Sequence, residues 1–127
     1  MSRLIRFATA PGQRPLWRVL LAVLLVAITW LALVPAPPQV VSTGWDKSNH
    51  ALAFASLAFA GVWAWCPRPR QWGWLAVALL AYGGAIEIVQ SMMPPRTGDA
   101  LDLLADGCGI VLGLLAAWPV TAIARPR

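Results

Sequence analysis

The chain alternates between long apolar runs and short breaks rich in proline and charge. Leu16 to Val34 is nearly unbroken apolar sequence, and about 19 residues of helix suffice to cross a ~30 Å hydrocarbon core. Pro35, Pro37 and Pro38 end that run, because proline lacks the N–H that continues a helix. A second run opens at Asp46-Lys47 and reaches Cys66; its many Ala, Ser and Gly allow membrane helices to approach closely. A third extends from Gln71 to Met93, where Pro94-Pro95 stop it, and a fourth from Asp99 to Ala122. Ala105, Gly109 and Gly113 form a small-residue stripe along the fourth. The pattern predicts an all-α integral membrane protein: one domain over residues 1–127, a bundle of four spans near 16–34, 47–66, 71–93 and 99–122.

Charge supplies the orientation. Arg3, Arg6 and Arg14 precede the first run and Arg18 lies in its first turn, Arg68 and Arg70 occupy the loop after the second, and Arg125 and Arg127 close the chain. All five acids fall around the two other breaks. The positive-inside rule therefore places both termini in the cytoplasm. Trp63, Trp65, Trp72, Trp74 and Trp118 fit an inner aromatic belt, and Trp45 an outer one. Residues 1–15, interrupted by Pro11, Gly12 and Pro15, are expected at the cytoplasmic surface without a long helix. A cleaved signal peptide is the rival reading of the first run. It is too long for a usual h-region, and Pro35 and Pro37 flank Ala36 poorly for cleavage, so a retained helix is expected.

An apolar fraction of 59 % with 12 % charged residues excludes an ordinary soluble domain. The net charge of +5 reads as topology rather than as a nucleic-acid surface. Cys66 and Cys108 sit at different expected depths, too far apart to bridge, and both read as buried small apolar residues.

Carboxylates within lipid-length helices are costly, and each is a candidate functional group. Asp99, Asp102 and Asp106 recur at i, i+3 and i+7, on one helical face. Glu87 and Gln90 lie near the end of the third span. Asp46 and Asp99 are well placed as N-caps, and Asp102 would complement a positive helix start. Glu87 and Asp106 each fall on the order of 10 Å below the outer interface. At one level they must share a proton, bind a cation, or pair with His50, Lys47 or Arg96. His50, the one histidine, is i+4 from Asp46, a spacing suited to acid–base work or to capping beside an interfacial imidazole. Ser48 and Ser56 lack a nucleophile-elbow context, which argues against a serine hydrolase. Arg96 is the group suited to gripping a phosphate or carboxylate.

The polar positions Asp46-Lys47-x-x-His50-x-x-Ala53-Phe54, Glu87-x-x-Gln90 and Arg96-x-x-Asp99-x-x-Asp102-x-x-x-Asp106-x-x-Gly109-x-x-x-Gly113 resemble the VanZ-like family of small bacterial membrane proteins. The resemblance spans roughly Trp45 to Gly113. It implies a multi-pass protein of the bacterial cytoplasmic membrane, with a polar signature on Asp46, Lys47, His50, Glu87, Gln90, Arg96, Asp99 and Asp102. The family's namesake is an accessory of glycopeptide-antibiotic resistance, linked to teicoplanin. Where the family pattern usually has Asn, this chain carries Asp106, which strengthens the requirement for a proton or a cation.

Three functions remain open, beside a purely structural polar plug. One is an outward binding pocket built from Asp46, Lys47, His50, Glu87, Gln90, Arg96, Asp99, Asp102 and Asp106. Its partners would be membrane lipids, a lipid-linked envelope precursor or a glycopeptide, and no nucleic acid. The second is a metal-assisted intramembrane enzyme with His50, Asp46 and Glu87 as catalytic candidates. Glu87, Asp102 and Asp106 would then hold Mg²⁺, Ca²⁺ or Mn²⁺. The third is a small cation- or proton-coupled carrier, disfavoured because the acids cluster at one face rather than at the midplane.

Overall fold

The computed structural model describes residues 1–65 and 68–124. The expectations for Cys66, Arg125 and Arg127 lie outside the described residues. Every regular element among those described is helical: α1 (Ser2–Ala8), α2 (Arg14–Leu33), α3 (Asp46–Ala64), α4 (Trp72–Ser91) and α5 (Ala100–Ala124), with short 3-10 turns between. The ends of α2 to α5 fall within about two residues of the apolar runs, the usual fraying of a helix boundary. The segment before the first run contains a short helix, α1, which the proline pattern did not predict. Pro11 separates it from α2, and Pro15 sits in the first turn of α2, where a missing N–H removes no helical bond.

Among the described residues, three helical segments are long and apolar enough to cross a membrane: Pro11–Leu33, Pro69–Ser91 and Ala100–Ala124. Much of their apolar surface faces outward, as at Val23, Val77, Val111 and Leu115. Uncovered apolar area on this scale is the profile of a membrane protein. Exposed Trp30 and Trp45 fall toward one end, and Trp65, Trp74 and Trp118 toward the other.

α3 is the less apolar helix, opening with Asp46, Lys47, Ser48, Asn49 and His50. It is also deeply covered: Phe54, Leu57, Ala58, Ala60, Val62 and Ala64 are buried. Its principal neighbour is α5, and glycine makes that contact close. A Cβ on Gly109 would collide with the Ala51 carbonyl, and one on Gly113 with the Ala55 carbonyl and the Ala58 methyl. Both glycines belong to the small-residue stripe, which here faces α3. The buried face of α5 continues through Ile110, Ala117 and Thr121, and its start carries Asp102 and Asp106. The same periodicity thus packs the helix and delivers two acids inward.

α2 contributes no buried residue. Its half-buried Leu21, Leu24, Leu25 and Ile28 pack against the core, and polar pins add to that contact. Thr29 and Tyr82 share a hydroxyl–hydroxyl bond of 2.7 Å, and Tyr82 also donates to the Leu25 carbonyl at 3.2 Å. Near its start, Arg18 donates to the Ala64 carbonyl at 3.2 Å and lies 3.9 Å from the Trp65 ring centroid. Cys108 departs from the sequence reading: it is exposed on the outer side of α5. Its neighbours at Asp106 and Gly109 occupy the α3-facing stripe, and a step of two residues turns Cys108 away from it.

Candidate functional site

The first turns of α3 and α5 meet at one end of the molecule, joined by the last turns of α4. Lys47 is the centre of the contact. Its ammonium donates to Asp99 Oδ2 at 2.7 Å and to Asp102 Oδ1, and lies 3.7 Å from Asp46 Oδ2. Asp102 is buried, whereas Asp46 is largely exposed. A buried carboxylate requires a partner, and Lys47 provides it from the neighbouring helix.

One turn deeper, His50 Nδ1 donates to Asp106 Oδ1 at 2.8 Å, and its Nε2 lies 3.7 Å from Asp102 Oδ2. Asp106 is 1 % exposed. The expected i, i+4 pairing of His50 with Asp46 is therefore replaced by a cross-helix pairing with Asp106. The buried side of α3 turns the imidazole toward α5, and Asp46 remains near solvent. The second Asp106 oxygen, Oδ2, lies against Gly83 of α4 and has no hydrogen-bond partner. Beneath it Phe54, Leu79 and Ile110 form an apolar floor.

Glu87 enters from α4. Its Oε2 accepts the Asp99 backbone N–H at 2.8 Å, and its buried Oε1 has no hydrogen-bond partner. Asp99 in turn caps α5, with Oδ1 accepting the Leu101 N–H at 2.8 Å. The Lys47 ammonium, and then that N–H, hold the Asp99 carboxyl below the usual carboxylate range. Asp46 does not cap α3 as expected. It is the first helical residue, after Trp45 at the cap position, where its charge still complements the helix start. A collar of Thr43, Ser48 and Asn49 surrounds that turn, with the Thr43 N–H donating to Asn49 Oδ1 at 2.7 Å. Ser48 and Ser56 both donate to nearby backbone carbonyls, of Trp45 and Leu52 respectively.

Gln90 and Arg96 face elsewhere. Gln90 Nε2 donates to the Ala32 carbonyl at 2.8 Å, Arg96 Nη2 to the Val34 carbonyl at 2.8 Å, and Arg96 Nη1 also to Ala32. These carbonyls end α2 and have no intrahelical donors, and a cation is favourable there. The guanidinium expected among the acids instead clamps α2 to the rest of the molecule.

The grouping of possible metal ligands also differs from expectation. Asp46, His50 and Asp102 offer ligand atoms all within 4.8 Å of one another. Glu87, Asp102 and Asp106 do not converge in that way, because the Asp99 N–H holds Glu87 and His50 holds Asp106. A set of two carboxylates and one imidazole suits Mn²⁺ or Zn²⁺ better than the all-oxygen set expected.

Comparisons with protein-family profiles, curated proteins and solved structures return no match to this chain. The VanZ-like resemblance therefore rests on the residue pattern itself.

Proposed function

We propose that this chain is a multi-pass protein of the bacterial cytoplasmic membrane, and that its acidic end binds the cationic part of an envelope ligand outside the cell. In this reading α2, α3, α4 and α5 cross in alternating directions, with both termini in the cytoplasm. The distribution of arginines supports the orientation. α3 can cross despite its polar start, because Lys47 and His50 face α5 rather than lipid. The VanZ-like pattern supports a bacterial envelope setting.

The observation that carries the ligand class is the position of Arg96. With its guanidinium engaged at α2, Lys47 and His50 are the only cationic groups among the described residues that pair with the carboxylates of the cluster. Glu87 Oε1 and Asp106 Oδ2 accept no hydrogen bond at all. Such a site attracts positive charge and repels phosphate or carboxylate. An ammonium group, on a lipid headgroup, a lipid-linked precursor or a glycopeptide, matches it. Lys47 already shows how an ammonium is received there, touching Asp99 and Asp102 together. A divalent ion on Asp46, His50 and Asp102 draws on the same excess of acid.

Thermal unfolding of the detergent-purified chain tests this reading. Phosphatidylethanolamine, or a glycopeptide bearing a free amine, is expected to raise the midpoint as a ligand of the folded state does. Asp102→Asn abolishes that response, whereas any response to phosphatidylglycerol, an anionic lipid without an amine, is unchanged by it. Stabilisation by Mn²⁺ that disappears in Asp46→Asn identifies a metal ion as the ligand. The absence of any response to the amines or to Mn²⁺, or a response to them unchanged in Asp102→Asn and Asp46→Asn, contradicts the proposal.

A further inference from the structure

The end of the molecule opposite the acids carries a second surface. Residues Ser2–Ala8 form α1, and at 100° per residue they divide into two faces. Arg3 and Arg6 share one; Leu4, Phe7 and Ala8 share the other, with Ile5 at its edge. Leu4 and Phe7 are 73 % and 68 % exposed, while Ile5 is partly covered. The segment does not hang free. Trp17 Nε1 donates to the Ala8 carbonyl at 2.8 Å, and the Trp17 ring packs edge-on against Phe59 at 5.9 Å. α1 also contacts α5. It is thereby fixed beside the indole of Trp17.

Charge names the occupant. Arg3, Arg6 and Arg14 are exposed and have no ion-pair partner among the described residues. Arg68 and Arg70, on the loop at this end, are exposed too. Every acid of the chain belongs to the opposite end. A short amphipathic helix with an uncovered apolar face and unpaired arginines matches a leaflet of anionic phospholipid. We infer that α1 is an interfacial anchor: Leu4 and Phe7 insert below the headgroups, while Arg3, Arg6 and Arg14 pair with the phosphates of anionic lipids. This rests on the membrane reading above but not on the ligand of the acidic end. The anchor would hold the start of α2, the helix with no fully buried residue, at a fixed depth.

Spin labels test it on the full chain in vesicles. Cysteine is placed at Phe7, Arg3 or Val23 in turn, with Cys66→Ala and Cys108→Ala, and each label is probed with oxygen and with a water-soluble nickel chelate. In phosphatidylglycerol–phosphatidylcholine vesicles, Phe7→Cys and Val23→Cys are expected to be oxygen-accessible and shielded from nickel, and Arg3→Cys nickel-accessible. Pure phosphatidylcholine, or Arg6→Gln with Arg14→Gln, should raise nickel access at position 7 severalfold. If position 7 is as nickel-accessible as position 3 while position 23 stays shielded, the anchor is wrong and the membrane reading stands. Equal shielding of position 7 in pure phosphatidylcholine overturns the anionic partner. Nickel access at position 23 overturns both readings.

Discussion

Gly109→Val is expected to abolish the folded state in detergent. The Cβ that any replacement adds points at the Ala51 backbone of α3, and a backbone carbonyl cannot move aside as the tip of a flexible side chain can. Overpacking costs ~1–3 kcal/mol where neighbours yield, so a backbone collision should exceed about 3 kcal/mol. The damage also reaches the site. α3 and α5 must approach closely for Lys47 to reach Asp102 and for His50 to reach Asp106. Gly107→Ala is the control, since a Cβ there meets Leu80 Cδ2 at an ordinary 3.8 Å. Size-exclusion profiles and thermal unfolding should show aggregation or a collapsed midpoint for Gly109→Val and near-native behaviour for Gly107→Ala. A stable, monodisperse Gly109→Val would contradict the close crossing.

Asp106 gives the second large effect, and its sign depends on the replacement. Leucine removes the acceptor of His50 Nδ1 and forces a branched tip against Gly83 and Phe54. Breaking a buried pair of this kind costs ~3–5 kcal/mol, and Asp106→Leu should lose about 3 kcal/mol or more. Asparagine keeps a carbonyl oxygen for the imidazole and removes a buried negative charge whose second oxygen has no partner. Asp106→Asn should therefore unfold within about 1 kcal/mol of the parent, or later. Reversible unfolding in mild detergent measures both. Equal losses in the two variants would show that the charge, rather than the hydrogen bond, stabilises this contact.

Much of this architecture is legible in the sequence because its signals are local. Proline at positions 35, 37, 38, 94 and 95 marks the ends of two runs, and the stripe through Gly109 and Gly113 marks a close helix contact. The acids could also be placed at one end of the molecule from charge and topology alone. Partner choice could not. Asp46 by its i, i+4 spacing and Asp106 by its expected depth both offer themselves to His50, and only the rotation of α3 against α5 selects Asp106. Arg96 follows the same logic: its helix-end partners, the carbonyls of Ala32 and Val34, are 64 and 62 residues away in sequence. The pin between Thr29 and Tyr82 joins two apolar runs 53 residues apart, and its signal in the sequence is a hydroxyl within each run. α1 was missed because proline at position 11 argues against a long helix and says nothing about a short one.

The central claim is that the acidic end lies outside a membrane that the chain crosses with its arginine end inside. Labelling of single cysteines in intact cells measures this directly. In a background of Cys66→Ala and Cys108→Ala, Gln39→Cys reports on the loop between α2 and α3, and Arg70→Cys on the loop between α3 and α4. An impermeant maleimide should label Gln39→Cys in intact cells, and Arg70→Cys only after the membrane is opened. Labelling of Arg70→Cys from outside, with Gln39→Cys protected, would invert the molecule and remove the acidic cluster from any external ligand.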